Sequence, residues 1–199
     1  MNQPVSLDPQ EKRLFVDNLQ RFLKEEVAPH YDDWEKAGIW PRALWRRFGE
    51  QGFLCVDVPE AYGGYGVSFE LSCLVVDEVS KFGFGALASG LSVHSDIVAP
   101  YILNLGSEAQ KEKYLPGMVS GEIVGAIGMT EPSAGSDLQR IKTHAARDGD
   151  QFKINGQKTF ITNGQHCDLI VLATKTDPNQ GAKGMTLFTI DCASTGFNR

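Results

Sequence analysis

A chain of 199 residues, 42% hydrophobic and 22% charged, carries enough apolar material for one sizeable domain or two small ones. Nineteen Lys and Arg stand against 25 Asp and Glu, a net charge of -6, and no basic run is present to track a phosphate backbone, which excludes nucleic acid as a partner. The four cysteines, Cys55, Cys73, Cys167 and Cys192, share no short spacing, so neither a zinc site nor a redox pair is written here and reduced, mostly buried thiols are expected.

The N-terminus, MNQPVSLDPQEKRLF, lacks the basic and apolar regions of a secretion signal, and a cytoplasmic location follows by default. Phe15, Leu19, Phe22, Leu23 and Val27 then recur at helical spacing, opened by Asp8 as N-cap with Pro9 and Glu11 in capping positions and stopped by Pro29. Pro41 predicts a second, short helix that carries Leu44 and Phe48 and ends at Gly52; Ser68 begins a third with Leu71, Val75 and Val79 on one side. The apolar stretch from Phe82 to Leu105 is interrupted by His94, Asp96 and Pro100, whereas a spanning helix needs about 20 nearly uninterrupted apolar residues. Gly83 to Leu105 is therefore read as a buried helix of a bundle, with no membrane. Ser107-Glu108-Ala109-Gln110 is a capping box for a last charged helix that closes at Pro116.

After Gly121 the period becomes strand-like. Asp148-Gly149, Asn155-Gly156 and Asn163-Gly164 separate the runs Thr143 to Arg147, Gln151 to Ile154, Lys158 to Thr162 and Leu169 to Thr174, and Met185 to Ile190 continues the pattern. The expected fold class is α+β: an all-α helical domain over residues 1–121, then an antiparallel β-sheet or barrel domain over residues 122–199 that is truncated.

Two stretches of this second domain carry chemistry. GMTEPSAGSD, residues 128–137, follows a strand-like run and offers backbone N–H groups, the hydroxyls of Thr130, Ser133 and Ser136, and close backbone approach at Gly135, a donor set suited to carbonyl or phosphate oxygens. It has neither the P-loop nor the Rossmann spacing. The same residues equally read as a tight surface loop, with Pro132 setting a turn and Ser136 or Asp137 capping the next short helix. QKTFITNG, residues 157–164, places Phe160 and Thr162 two apart, hence on one face of a predicted strand against which a flat ring can lie; Phe160 as plain core and Thr162 as a plain β-former are the alternatives.

Together with PEAYGGYG (Pro59 to Gly66) and EAQKEKYLPGMVSGE (Glu108 to Glu122), these two stretches resemble the acyl-CoA dehydrogenase family, in the family's order and over essentially the whole chain. The resemblance implies a flavoprotein that oxidises an acyl-CoA thioester to the trans-2-enoyl-CoA with FAD as hydride acceptor, and passes electrons to an electron-transferring flavoprotein. It also implies a helical, a β and a C-terminal helical domain, usually assembled as a homotetramer. By the same resemblance, Ile127, Met129 and Thr130 meet the pyrimidine side of the flavin, and Gly135 and Ser136 lie near the FAD pyrophosphate and the CoA end of the substrate. Phe160, Ile161 and Thr162 back the flavin, with the threonine hydroxyl near its reactive nitrogen. Relatives usually carry Trp at the Phe160 position; Phe keeps the π-face and loses the indole N–H.

The family's base for the α-proton is a glutamate of the C-terminal domain, which this chain is expected to lack, so that alone it is an inactive fragment with no catalytic residue of its own. Glu131, the local carboxylate, matches a structural position, and His94, His144 and His166 have no motif partner. No metal site is expected. Acyl-CoA oxidases and flavin monooxygenases share the fold, but EPSAGSD resembles the dehydrogenases more closely; a non-catalytic acyl-CoA-binding module is the alternative from another class. Leu87 to Ser92 is expected either to line a deep acyl pocket or to allow close helix packing, and the WEKAGIW region hints at medium to long straight chains.

Overall fold

Asp8 accepts hydrogen bonds from the amides of Gln10 and Glu11 (2.7 and 2.9 Å), and the Glu11 carboxylate accepts from the amide of Asp8 (2.8 Å). In the computed structural model, which describes residues 5–199, this capping box opens α1 (Pro9–Phe22) as the sequence predicts. The apolar stripe runs on through a π-helical segment, Leu23–Val27, which buries Leu23 and Val27 and is closed by the Ala28 amide on the Leu23 carbonyl (2.8 Å). α2 (Tyr31–Ala37) has no counterpart in the sequence reading, because only Tyr31 of it is buried and no apolar stripe announces it. α3 (Arg42–Glu50) follows Pro41 and buries Leu44, Trp45 and Phe48, and α4 (Phe69–Lys81) follows Ser68.

The long apolar run becomes α5 (Gly85–Ser92), a π-helical segment Val93–Val98 and α6 (Ala99–Leu105). Its 21 residues are long and apolar enough to cross a membrane, but half of the stretch is buried in the protein. His94 is fully buried there and bonds the Met118 carbonyl (3.0 Å), a satisfied core histidine. Pro100, with no N–H to give to the preceding turn, is the second residue of α6, which follows the π-helical segment.

The Ser107–Gln110 capping box opens α7 (Glu108–Val119). Here the predicted end is corrected, since Pro116 lies inside the helix. A proline this close to the C-terminus removes one amide bond, and the fully buried Leu115 and Met118 on either side hold the turn in place. α3 and the end of α7 meet without side chains between them: a Cβ on Gly49 would collide with the Ser120 carbonyl, and one on Gly121 (φ 75°) with that of Trp45.

The chain divides into two compact units between Val124 and Gly125. In the second, β1 (Gly125–Gly128) pairs in parallel with β4 (Leu169–Lys175), and β4 pairs antiparallel with β5 (Met185–Asp191). β2 (His144–Asp148) and β3 (Gln151–Asn155) form a hairpin that joins β4 in parallel at His144 and Lys175. Helices followed by a sheet is the expected architecture, but the sheet is mixed and does not close. The simple antiparallel meander is corrected because long connections before β2 and before β4 let those strands run alongside their neighbours in the same sense. β4 is the central strand, with Leu169, Ile170, Val171, Ala173 and Thr174 all buried.

Gly121→Ala combines a collision with a left-handed backbone and is expected to lower unfolding free energy by about 2 kcal/mol or more in urea titration. Gly38→Ala (φ 70°, nothing within 4 Å of its Cβ) is expected to cost only ~1 kcal/mol.

Candidate functional site

The first motif begins where β1 ends. Gly128 closes the β1–β4 ladder opposite Leu172, under the side chains of Ile170 and Leu172, which a Cβ at Gly128 would meet at 2.9 Å. Met129 and Thr130 thus present their backbone groups beyond the ladder. Glu131 and Ala134 then exchange backbone hydrogen bonds (2.9 and 3.0 Å) around Pro132, the tight turn that the sequence allowed for. Gly135 and Ser136 follow, both exposed, and no atom lies within 4 Å of where a Gly135 Cβ would stand. Asp137 accepts from the Gln139 amide (3.2 Å) and caps a short 3-10 turn, Leu138–Arg140. Ile127 and Met129 are half-buried, and Met129 packs on Ala134, Ile141 and Ala173.

The second motif differs from its expectation. Residues 156–168 form a loop, so Phe160 and Thr162 do not share a strand face. Phe160 (φ 56°) and Asn163 (φ 64°) both take the left-handed backbone conformation, which ends the period of two. Three tethers hold the loop away from strand geometry: the Asn163 amide side chain donates to the Gly125 carbonyl (3.1 Å), the Thr159 amide to the Thr130 carbonyl (3.0 Å), and Lys158 Nζ to the Met129 carbonyl (3.1 Å). Each ends on β1 or on the first motif, so the fold brings the two motifs together although they are not neighbouring strands. Ile161 packs on Ala126, Cys167, Ile170 and Cys192. Thr162 is exposed and Phe160 is 92% exposed, so Phe160 is not core.

Lys158 Nζ also bonds Glu131 Oε1 (2.8 Å), with the two side chains only 8% and 3% exposed. The other carboxylate contacts come from the amides of Lys142 (2.6 Å) and Thr143 (3.0 Å). Burial raises the Glu131 carboxyl, but the Lys158 ammonium and these amides outweigh it and hold the group at about 2. Burial pulls the Lys158 ammonium below its ordinary value while Glu131 opposes that. At 2.8 Å the two form a buried ion pair. With its oxygens occupied, Glu131 is an anchor, in keeping with the structural role expected of it.

Lys158 and Asn163 were not among the expected site residues. Lys158 is the one charge in QKTFITNG, the signal that marks it, whereas Asn163 reads in the sequence only as half of a turn dipeptide. Of the histidines outside the core, His144 is exposed at the head of β2 and His166 half-buried in the second loop. The loops offer the exposed Phe160 ring, the exposed Thr162 and, past the end of β1, the half-buried Met129 and Thr130, a set suited to a flat heteroaromatic group with carbonyl oxygens at its edge.

The description "Acyl-CoA dehydrogenase, N-terminal domain" matches residues 9–122, and "Acyl-CoA dehydrogenase, middle domain" matches residues 126–199. The long-chain specific acyl-CoA dehydrogenase, mitochondrial, of Sus scrofa is 41% identical over 189 residues, which are 94% of this chain and 44% of that protein. The chain therefore spans less than half the length of that relative. The crystal structure of an acyl-CoA dehydrogenase from Geobacillus kaustophilus is 48% identical, with a TM-score of 0.90 over 96% of this chain and 50% of that one. A glutaryl-CoA dehydrogenase from Mycobacterium smegmatis, solved in complex with FADH2, is 30% identical with a TM-score of 0.87, over 96% and 48% of the two chains.

Glu131→Gln leaves the Lys158 ammonium buried and unpaired and is expected to cost about 3 kcal/mol at neutral pH, part of which Lys158→Met restores in the double variant. Because the folded Glu131 value lies below the ordinary 4.5, its stabilisation is complete above that pH and is lost as pH falls towards 2. Chemical denaturation at a series of pH values should therefore show a steeper acid decline in the native chain than in Glu131→Gln.

Proposed function

Because the chain belongs to the acyl-CoA dehydrogenase family, we propose that its two motif loops form the flavin wall of an FAD-dependent enzyme that converts an acyl-CoA thioester to the trans-2-enoyl-CoA. Bound FAD supplies the acceptor for the hydride leaving the substrate β-carbon. Phe160 offers its ring as the stacking face, and Ile161 anchors that segment in the core below. The Thr162 hydroxyl donates towards the flavin's reactive nitrogen. Ile127, Met129 and Thr130 border the pyrimidine edge, where backbone and hydroxyl donors stabilise charge on the reduced ring. Gly135 and Ser136 receive the pyrophosphate and the CoA end of the substrate. Glu131 is engaged in its ion pair and takes no proton, so the reading assigns this chain flavin positioning and not the α-proton base. Electrons pass on to an electron-transferring flavoprotein, and the assembled enzyme is a homotetramer. The 41% identity to a long-chain specific relative favours a medium to long straight acyl chain.

The observation that carries the reading is Phe160. A bulky side chain in left-handed backbone costs about 1–2 kcal/mol, and a ring that is 92% exposed gains almost nothing on folding. Folding disfavours both features, while a ligand that needs a flat face at the loop tip accounts for them together.

The purified chain, given FAD and desalted, should keep a flavin absorption band. Phe160→Gly should match or exceed the native chain in stability by up to ~1 kcal/mol, since it relieves strain and removes no buried surface. It should hold FAD about tenfold more weakly or worse, with Phe160→Trp restoring the affinity. Equal FAD affinity in the native chain and Phe160→Gly would remove the ring from the site.

A further inference from the structure

Cys167 and Cys192 lie 25 positions apart in sequence, yet their sulfurs are 3.5 Å apart in the second unit, and both side chains are buried. The sheet brings them there. Cys167 sits just before β4 and Cys192 just after β5, and the Cys192 amide bonds the Asp168 carbonyl (2.8 Å), extending the β4–β5 ladder by one step. We propose that Cys167 and Cys192 are a dithiol that closes to a reversible intrachain disulfide when the protein meets a peroxide.

The sulfurs need to approach by about 1.5 Å to reach bonding distance. A hydrogen bond from the Cys192 thiol lowers the Cys167 thiol below its ordinary value; burial opposes that, and the Arg199 guanidinium, which also bonds the Cys167 carbonyl (2.7 Å), assists it. The Cys167 hydrogen bond and burial both push Cys192 up. These contacts make Cys167, once deprotonated, the attacking sulfur. It attacks one peroxide oxygen, the O–O bond breaks, hydroxide leaves as water, and Cys167 becomes a sulfenic acid. Cys192, giving up its proton, attacks that sulfur; the S–S bond forms, the S–O bond breaks, and the second oxygen leaves as water. Two thiols and one peroxide thus become one disulfide and two waters. Cys167 is fully buried and Cys192 6% exposed, so a small oxidant must enter past Cys192 to reach the attacking sulfur.

The pair stands at the foot of the Phe160 loop. The Cys167 amide bonds the Asn163 carbonyl (2.9 Å), and its thiol contacts the Gly164 carbonyl (3.6 Å), a contact that the disulfide abolishes.

The test is to treat the purified chain with equimolar hydrogen peroxide, alkylate it under denaturing conditions, digest it and weigh the peptides. A Cys167–Cys192 linked peptide, about 2 Da lighter than the sum of its thiol halves and reopened by dithiothreitol, is expected, with Cys55 alkylated as before. Hydrogen exchange at residues 160–166 should change on oxidation and revert on reduction. Free alkylation of both thiols after peroxide, a Cys167 sulfinic acid with no linkage, or cross-linking only between chains through the exposed Cys73 would each overturn the proposal.

Discussion

The geometry of the candidate site depends on one buried ion pair. An ammonium and a carboxylate, each almost wholly removed from water, tolerate burial only when their remaining hydrogen-bonding capacity is met. Lys158 gives two of its N–H groups to the Met129 carbonyl and Glu131, and Glu131 accepts from two further backbone amides. Every one of those partners lies in the motif loops or in the segment leading into β2. Neither loop can be displaced without exposing a charge to an unsatisfied interior, so loops without regular structure behave as a rigid platform.

That rigidity explains how Phe160 holds a conformation that an isolated segment would abandon. The segment is tied on either side, by the Thr159 amide to Thr130 and by the Asn163 side chain to Gly125, and the chain between them turns through left-handed space. An expected strand with a neatly alternating ring and hydroxyl is replaced by a strained bend that lifts the ring free of the protein.

The legible parts of the sequence were those with local causes. Asp8 with Glu11 and Ser107 with Gln110 announce helix starts because their side chains satisfy amides within the same turn. α2 stayed hidden because almost none of it is buried, and the run through Pro116 because buried neighbours outweigh one missing amide bond. The two motifs pointed to the right loops, but the Lys158–Glu131 pair spans 27 positions and the Cys167–Cys192 pair 25. Contacts of that kind are created by strand register, which a one-dimensional pattern does not record. The same limit hid the parallel sense of β1 and β4.

The pairing of β1 with β4 has a temporal side. β1 is short, and its ladder partner is made about forty residues later, after a hairpin and two long loops, so its closure is among the most non-local contacts in the unit. On a ribosome the helical segment is complete before any of this begins, while β1 must wait, with its apolar edge unpaired, until β4 has emerged. The tethers from Asn163 to Gly125 and from Lys158 to Met129 join the second loop to β1 and its end, so the platform made by the two loops is complete only once β4 has emerged and paired with β1.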